Sequence, residues 1–145
     1  MDLVTMLDAL DRLTISKNPV WGKMSAQEMV EHLSDLLIMS RGLNNFTLNE
    51  NDETITRRQQ FLYSDKEMAR NIAIPFRKDV IELRHNELAL SIDEFTIEWL
   101  NFIEYYEENP GATEIHPYYG ALDYEKWEKL HVKHFIHHFQ QFELI

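Results

Sequence analysis

The amino-acid sequence predicts an all-α protein, an up-down bundle of four long helices with a long connection after the second. Three observations carry that expectation. Apolar residues recur at helical spacing in four separate stretches, and two of those stretches open on a serine followed three residues later by glutamate. No stretch alternates apolar and polar residues as a half-buried strand would, and the 4 Gly and 4 Pro fall where helices should break. At 145 residues with 44% hydrophobic content, the chain is sized for one domain over residues 1–145 with a real core.

The first predicted helix covers about residues 2–14, with Leu3, Leu7, Leu10 and Leu13 on one face and Asp2, Asp8, Asp11 and Arg12 between them. Asn18-Pro19 ends any helix before it, because the residue preceding proline is pushed out of the α region. Ser25-Ala26-Gln27-Glu28 forms a capping box for the second helix, whose apolar face is Met29, Leu33, Leu36 and Leu37 and whose stop is Gly42. Residues 43–90 carry the long connection. Asn44, Asn45, Asn49, Asn51 and Asp52 predict loop, Thr56 to about Met68 a further helix with Phe61 and Met68 turned to the core, and Ile72-Ala73-Ile74-Pro75-Phe76 an extended segment over the bundle. Ser91-Ile92-Asp93-Glu94 predicts a second capping box, ahead of Phe95, Trp99, Ile103 and Tyr106 on one face and a stop at Asn109-Pro110-Gly111. Asp123 caps the last helix, with Glu125 at the positive end of its dipole.

Charge narrows the range of partners. Lys and Arg total 14 against 25 Asp and Glu, a formal charge of −11, so the surface repels phosphate backbones and anionic lipid. Neither nucleic acid nor a membrane is an expected partner; a small-molecule substrate or thiol is. There is no cysteine, which removes disulfides, thiolate ligands and a cysteine nucleophile. The opening MDLVTMLDALDRL lacks a basic region and a cleavage site, and no run approaches the roughly 20 apolar residues of a membrane span. A cytoplasmic location is the expectation. Half of the cations, Arg57, Arg58, Lys66, Arg70, Arg77, Lys78 and Arg84, cluster within residues 57–84. They read either as a solvated loop or as a rim that faces an anionic substrate.

The histidines carry the chemistry. His131, His134, His137 and His138 fall within eight residues of the last helix. His134 and His138 are spaced i and i+4, the spacing by which a helix offers two imidazoles to one metal. Trp127, His131, His134, His138, Gln141 and Ile145 form one stripe of mixed polar and aromatic groups on the inward face. Imidazoles buried there need partners, since an unpaired buried polar group costs a few kcal/mol. His32, with Met29 and Leu36 a turn to either side, also faces inward. Two readings of it stand here: a core histidine bonded to a carbonyl, or a third metal ligand. The bland alternative for the whole set is a metal-free bundle whose imidazoles bond to each other, to glutamate and to water.

Two blocks of the chain are similar to a known family. Trp21-Gly22-Lys23-Met24-Ser25-Ala26-Gln27-Glu28-Met29-Val30-Glu31-His32-Leu33 resembles the entry into helix two of the DinB-like superfamily, and His134-Phe135-Ile136-His137-His138-Phe139-Gln140-Gln141-Phe142 resembles its last-helix motif. His116-Pro117-Tyr118-Tyr119-Gly120-Ala121-Leu122, ahead of Trp127, resembles the segment preceding that helix in one branch. The superfamily includes the YfiT-type metal-dependent hydrolases and the mycothiol- and bacillithiol-dependent enzymes. The resemblance implies a four-helix bundle of DinB/YfiT type, frequent homodimers, and a metal on His32, His134 and His138. It departs in two places: Phe142-Glu143 stands where the family has a glycine, and residues 43–90 match no thiol-binding pattern.

The function expected from these readings is metal-dependent catalysis. Zn or Ni on the three histidines would serve hydrolysis or transfer of a low-molecular-weight thiol, with His131, Gln141, Tyr118, Tyr119 and Trp127 as pocket candidates. The alternative is a metal- or small-ligand-binding stress-response protein without turnover.

Overall fold

The computed structural model describes residues 1–43, 46–70 and 82–145. Helix α1 spans Leu3–Leu10, with the Asp2 carboxylate accepting from Thr5 N at 2.8 Å. It is shorter than the predicted 2–14 because Asp11 and Arg12 continue as turns. The buried face is Met6, Ala9, Leu10 and Leu13, an i, i+3, i+4, i+7 set, while Leu3 and Leu7 are only half-buried. Helix α2, Ala26–Met39, opens on the capping box as expected: Ser25 Oγ accepts from Glu28 N at 3.1 Å and Ser25 N donates to Glu28 at 2.8 Å. Met29, Val30, Leu33 and Leu37 are wholly buried on it. Its C-cap is Ser40, ahead of Gly42 at φ +74°.

Within the long connection, helix α3 spans Asp52–Gln60 and a 3₁₀ turn follows at Phe61–Tyr63. Asn51 caps α3 by accepting from Thr54 N at 2.8 Å, so the helix starts and stops earlier than the 56–68 expectation. Phe61 and Met68 do pack partly against the core. Asn44, Asn45, the extended stretch at 72–76, Arg77 and Lys78 lie outside the described residues.

Helix α4, Leu88–Glu108, corrects one expectation. Its N-cap is Glu87, in extended backbone, and Ser91 lies one turn inside the helix rather than capping it. The Ser91 hydroxyl donates instead to the buried Glu31 carboxylate of α2 at 3.0 Å, a charge-assisted bond that outcompetes capping. Phe95, Trp99, Phe102 and Tyr106 are buried along one side of α4, which packs most extensively on α2, and Asn109 ends the helix as expected.

A second correction concerns fold class. The molecule is mostly helical, but a two-stranded antiparallel hairpin joins α4 to the last helix: β1 at Glu114–His116 and β2 at Gly120–Leu122, with Ile115 opposite Ala121. Strands of three residues are too short to display alternation, which is why the pattern gave no warning. Helix α3 lies on this hairpin, with Gln59 Nε2 donating to Tyr119 O at 2.8 Å and to Ala121 O at 3.1 Å. Gly120 has φ +74°, and a Cβ there would come within 2.9 Å of Ile55. Helix α5, Tyr124–Gln141, is capped by Asp123 as expected and buries Trp127, Leu130, Phe135 and Phe139. Among the described residues no helix is long and apolar enough to cross a membrane.

Glu31 ties the end of the connection to the helices. Its buried carboxylate accepts from Arg84 N, from Gln27 Nε2 at 3.1 Å and from Ser91. Burial by itself would raise its pKa; these bonds and the Arg84 guanidinium outweigh that and hold it below the ordinary glutamate value. Arg84 in turn pairs with Asp35 and Glu94. Glu31→Ala would remove the acceptor of three hydrogen bonds and is expected to lower the unfolding free energy by about 3 kcal/mol in urea titration. A loss below about 1 kcal/mol would contradict a structural role for the carboxylate.

Candidate metal centre

Residues of α5 repeat every 3.6 positions, so His134 and His138 stand one turn apart on the same face and look toward α2. His32 meets them from α2, a turn beyond the Met29 that anchors that helix in the core. His134 Nε2 is 2.8 Å from His32 Nε2 and 3.0 Å from His138 Nε2, and ligand atoms of the three rings all lie within 4.8 Å of one another. The rings meet edge to face, with the His32 ring at 82° to both others. His134 and His138 are buried and His32 is half-buried.

Electrostatics keep the His134 ring uncharged. Burial, reinforced by the neighbouring His138, His32, His131 and His137, pushes the His134 pKa well below that of free histidine. A neutral imidazole presents a lone pair, the form in which histidine binds metal. The arrangement thus brings three imidazoles from two helices around one point.

Gln141, the last residue of α5, lies beside this centre. Its Oε1 is 2.7 Å from His138 Nδ1, and its Nε2 donates to the Trp21 carbonyl at 2.9 Å. The Trp21 ring meets His137 edge to face at 5.4 Å and carries the Arg70 guanidinium on its face at 3.9 Å. His137 is half-buried next to His138, and burial lowers its pKa against an opposing backbone hydrogen bond to Met68. Trp21 is the participant that spacing could not reveal, because its contribution to His138 runs through a main-chain carbonyl that every residue possesses.

The other candidates occupy a different part of α5. His131 is completely buried, its ring stacked between Trp127 at 5.7 Å and Phe135 at 5.9 Å and met by Phe102 at 4.7 Å. Neither of its nitrogens has a hydrogen-bond partner among the described residues. Trp127 is seven residues, about 10 Å, along the helix from His134, and its ring meets the buried His116 of β1 at 5.7 Å. Tyr118 and Tyr119 belong to the hairpin: their amides donate to His116 Nδ1 at 2.9 and 3.2 Å, and Arg58 covers the Tyr118 ring at 4.0 Å. Ile145, predicted on the inward stripe, is instead exposed, because α5 ends at Gln141 and Glu143 adopts φ 54°. Of the described cations in the basic stretch, Arg58 pairs with Glu50 and Arg84 with Asp35 and Glu94.

A sequence profile of the family described as "Protein of unknown function (DUF1569)" matches residues 1–144, and the chain belongs to that family. No curated protein and no solved structure matches the chain.

The buried rings outside the cluster make stability depend on pH. Burial lowers the His116 pKa to about 4, and burial with the adjacent His116 lowers that of His131 to about 3, against 6.5 for the unperturbed group. Their stabilising contribution is therefore complete above about pH 6.5 and is lost as pH falls toward the folded values, because the unfolded chain binds the protons first. Each ring adds up to about 1.4 kcal/mol per pH unit to that slope. His131→Phe keeps the aromatic stack and removes one titrating ring. Urea titrations between pH 7 and 4.5 are expected to show no destabilisation at pH 7 and a slope shallower by about that amount; an unchanged slope would refute the assignment.

Proposed function

We propose that this DUF1569 protein is a metal-dependent enzyme in which His32, His134 and His138 hold one divalent ion, zinc or nickel, for hydrolysis or low-molecular-weight thiol transfer on a small-molecule substrate. The observation that carries the reading is the convergence of three imidazole nitrogens from two helices within 4.8 Å. His134 Nε2 faces two other Nε2 atoms at once, and a neutral ring offers there either one hydrogen or one lone pair. A shared cation satisfies all three nitrogens together. The imidazole nitrogens of His32, His134 and His138 would be its ligands.

Among the described residues the cluster has three nitrogen ligands and no carboxylate, a set that leaves coordination positions open, the pattern of catalytic rather than closed structural sites. A bound divalent ion would supply Lewis acidity and acidify a water or thiol bound to it. Around it, the buried faces of α2 and α5 exclude bulk water, and Trp21, His137 and Arg70 form an aromatic and cationic margin. The same reading takes α1, α2, α4 and α5 as a four-helix bundle of the DinB/YfiT type. Ligands on the second and last long helices, in the order that the resemblance implies, support it.

Inductively coupled plasma mass spectrometry on untagged protein tests the site. Near one equivalent of metal is expected in the wild type, with His134→Ala and His138→Ala losing it while circular dichroism stays helical. No metal in the wild type after incubation with Zn²⁺ and Ni²⁺ would overturn the reading. Turnover of thioester, amide or thiol-adduct substrates is expected to stop on chelation and return with metal. Bound metal without turnover of any of these would leave the non-catalytic alternative.

A further inference from the structure

The Gln141 carboxamide touches two groups, and only one of its orientations suits both. The Trp21 carbonyl oxygen accepts hydrogen bonds and cannot donate, so the amide NH₂ must face it, at 2.9 Å. That places Oε1 toward His138 Nδ1 at 2.7 Å. An amide oxygen also only accepts, so the hydrogen between them belongs to His138 Nδ1. A neutral imidazole protonated at Nδ1 has its lone pair on Nε2, and Nε2 is the atom that faces His134, at 3.0 Å. A backbone carbonyl between α1 and α2 therefore sets an amide, and the amide sets a tautomer.

The main chain holds the same pair of segments together. Val20 N donates to the Gln141 carbonyl at 2.8 Å, so Gln141 is bound to residues 20–21 through both its backbone and its side chain. At 5% exposure the side chain is shielded from water that would otherwise compete for both bonds. His134 has no such support: its Nδ1 is buried without a hydrogen-bond partner among the described residues.

We propose that Gln141 is a positioning residue that holds His138 in the Nδ1–H tautomer with Nε2 open to a metal, its own orientation dictated by the Trp21 carbonyl. The consequence for metal binding rests on the three-histidine reading; the tautomer itself does not. The reason to expect an effect is general: groups that hydrogen-bond the remote nitrogen of a ligand histidine fix its orientation, and their loss typically weakens metal binding 10- to 100-fold.

Long-range ¹H–¹⁵N correlation spectra of the metal-free, histidine-labelled protein read the tautomer directly. His138 is expected to show a protonated Nδ1 and a bare Nε2 in the wild type. In Gln141→Met, which keeps the length of the side chain and lacks both hydrogen-bonding ends, the ring is expected to shift toward the Nε2–H form that solution histidine prefers. Zinc affinity by dye competition is expected to fall 10- to 100-fold in Gln141→Met. Gln141→Glu, which offers Nδ1 an acceptor but sets its second oxygen against the Trp21 carbonyl, is expected to recover part of it. A wild-type His138 protonated at Nε2 would overturn the proposal whether or not the variants fold. If the wild type binds zinc and Gln141→Met keeps both its affinity and the Nδ1–H form, the positioning role is likewise refuted. Failure of the wild type to bind either zinc or nickel would sink the metal reading instead, while the spectra would still decide the tautomer.

Discussion

The contact between α2 and α5 made through His32 and His134 is the constraint around which the rest of the molecule is arranged. Two ring nitrogens meet there at 2.8 Å, with the His138 ring beside both. A displaced His134 ring would lose that partner while staying buried, and a buried hydrogen bond left unmade is costly. The apolar packing supplies the rigidity. Phe135 and Phe139 flank the histidines on α5, and Phe95 and Trp99 of α4 press on Phe135 at 5.3 and 5.7 Å.

Around that contact the loops are fastened from several sides. Residues 20–21 are bound to the end of α5 through Gln141, and residues 84–85 are bound to α2 through Glu31 and Gln27. Lys133, the neighbour of His134, donates to the Ser64 and Lys66 carbonyls at 2.8 and 2.6 Å. Each ligand helix therefore carries, next to its histidine, a polar side chain that holds a piece of connecting chain. The energetic logic is the same in each case: a buried or half-buried hydrogen bond costs most when it is left unmade, so these anchors specify one arrangement of loops about the three rings.

The imidazoles of α5 divide by surroundings. His134 and His138 face other nitrogens and a carboxamide, whereas His131, one turn earlier, lies wholly among aromatic rings. His131, His134 and His138 are all buried, and desolvation lowers the pKa of His131 and of His134. What separates a candidate ligand from a core aromatic here is company, and company was not available from spacing alone, which put His131 on the same stripe.

Much of the architecture was legible in the residues. The capping box at Ser25, the Asp123 cap, the stop at Asn109 and the apolar periods of α2, α4 and α5 are local features, decided within a turn or two of chain, and the structure shows each of them. The i, i+4 pairing of His134 and His138 is local in the same sense. What needed tertiary structure was non-local. Ser91 looks like a cap until the Glu31 carboxylate from another helix claims its hydroxyl. The hairpin of three-residue strands is held by pairing across a turn and by Gln59 rather than by any alternating pattern. The junction of His32 with a helix 102 positions away, and the carbonyl of Trp21 reached by Gln141 across 120, depend on how whole helices pack. Sequence by itself determined which side chains could meet, because periodicity assigns faces. Only the fold decided which of them do, because hydrogen bonds between distant segments follow from packing and leave no period to read.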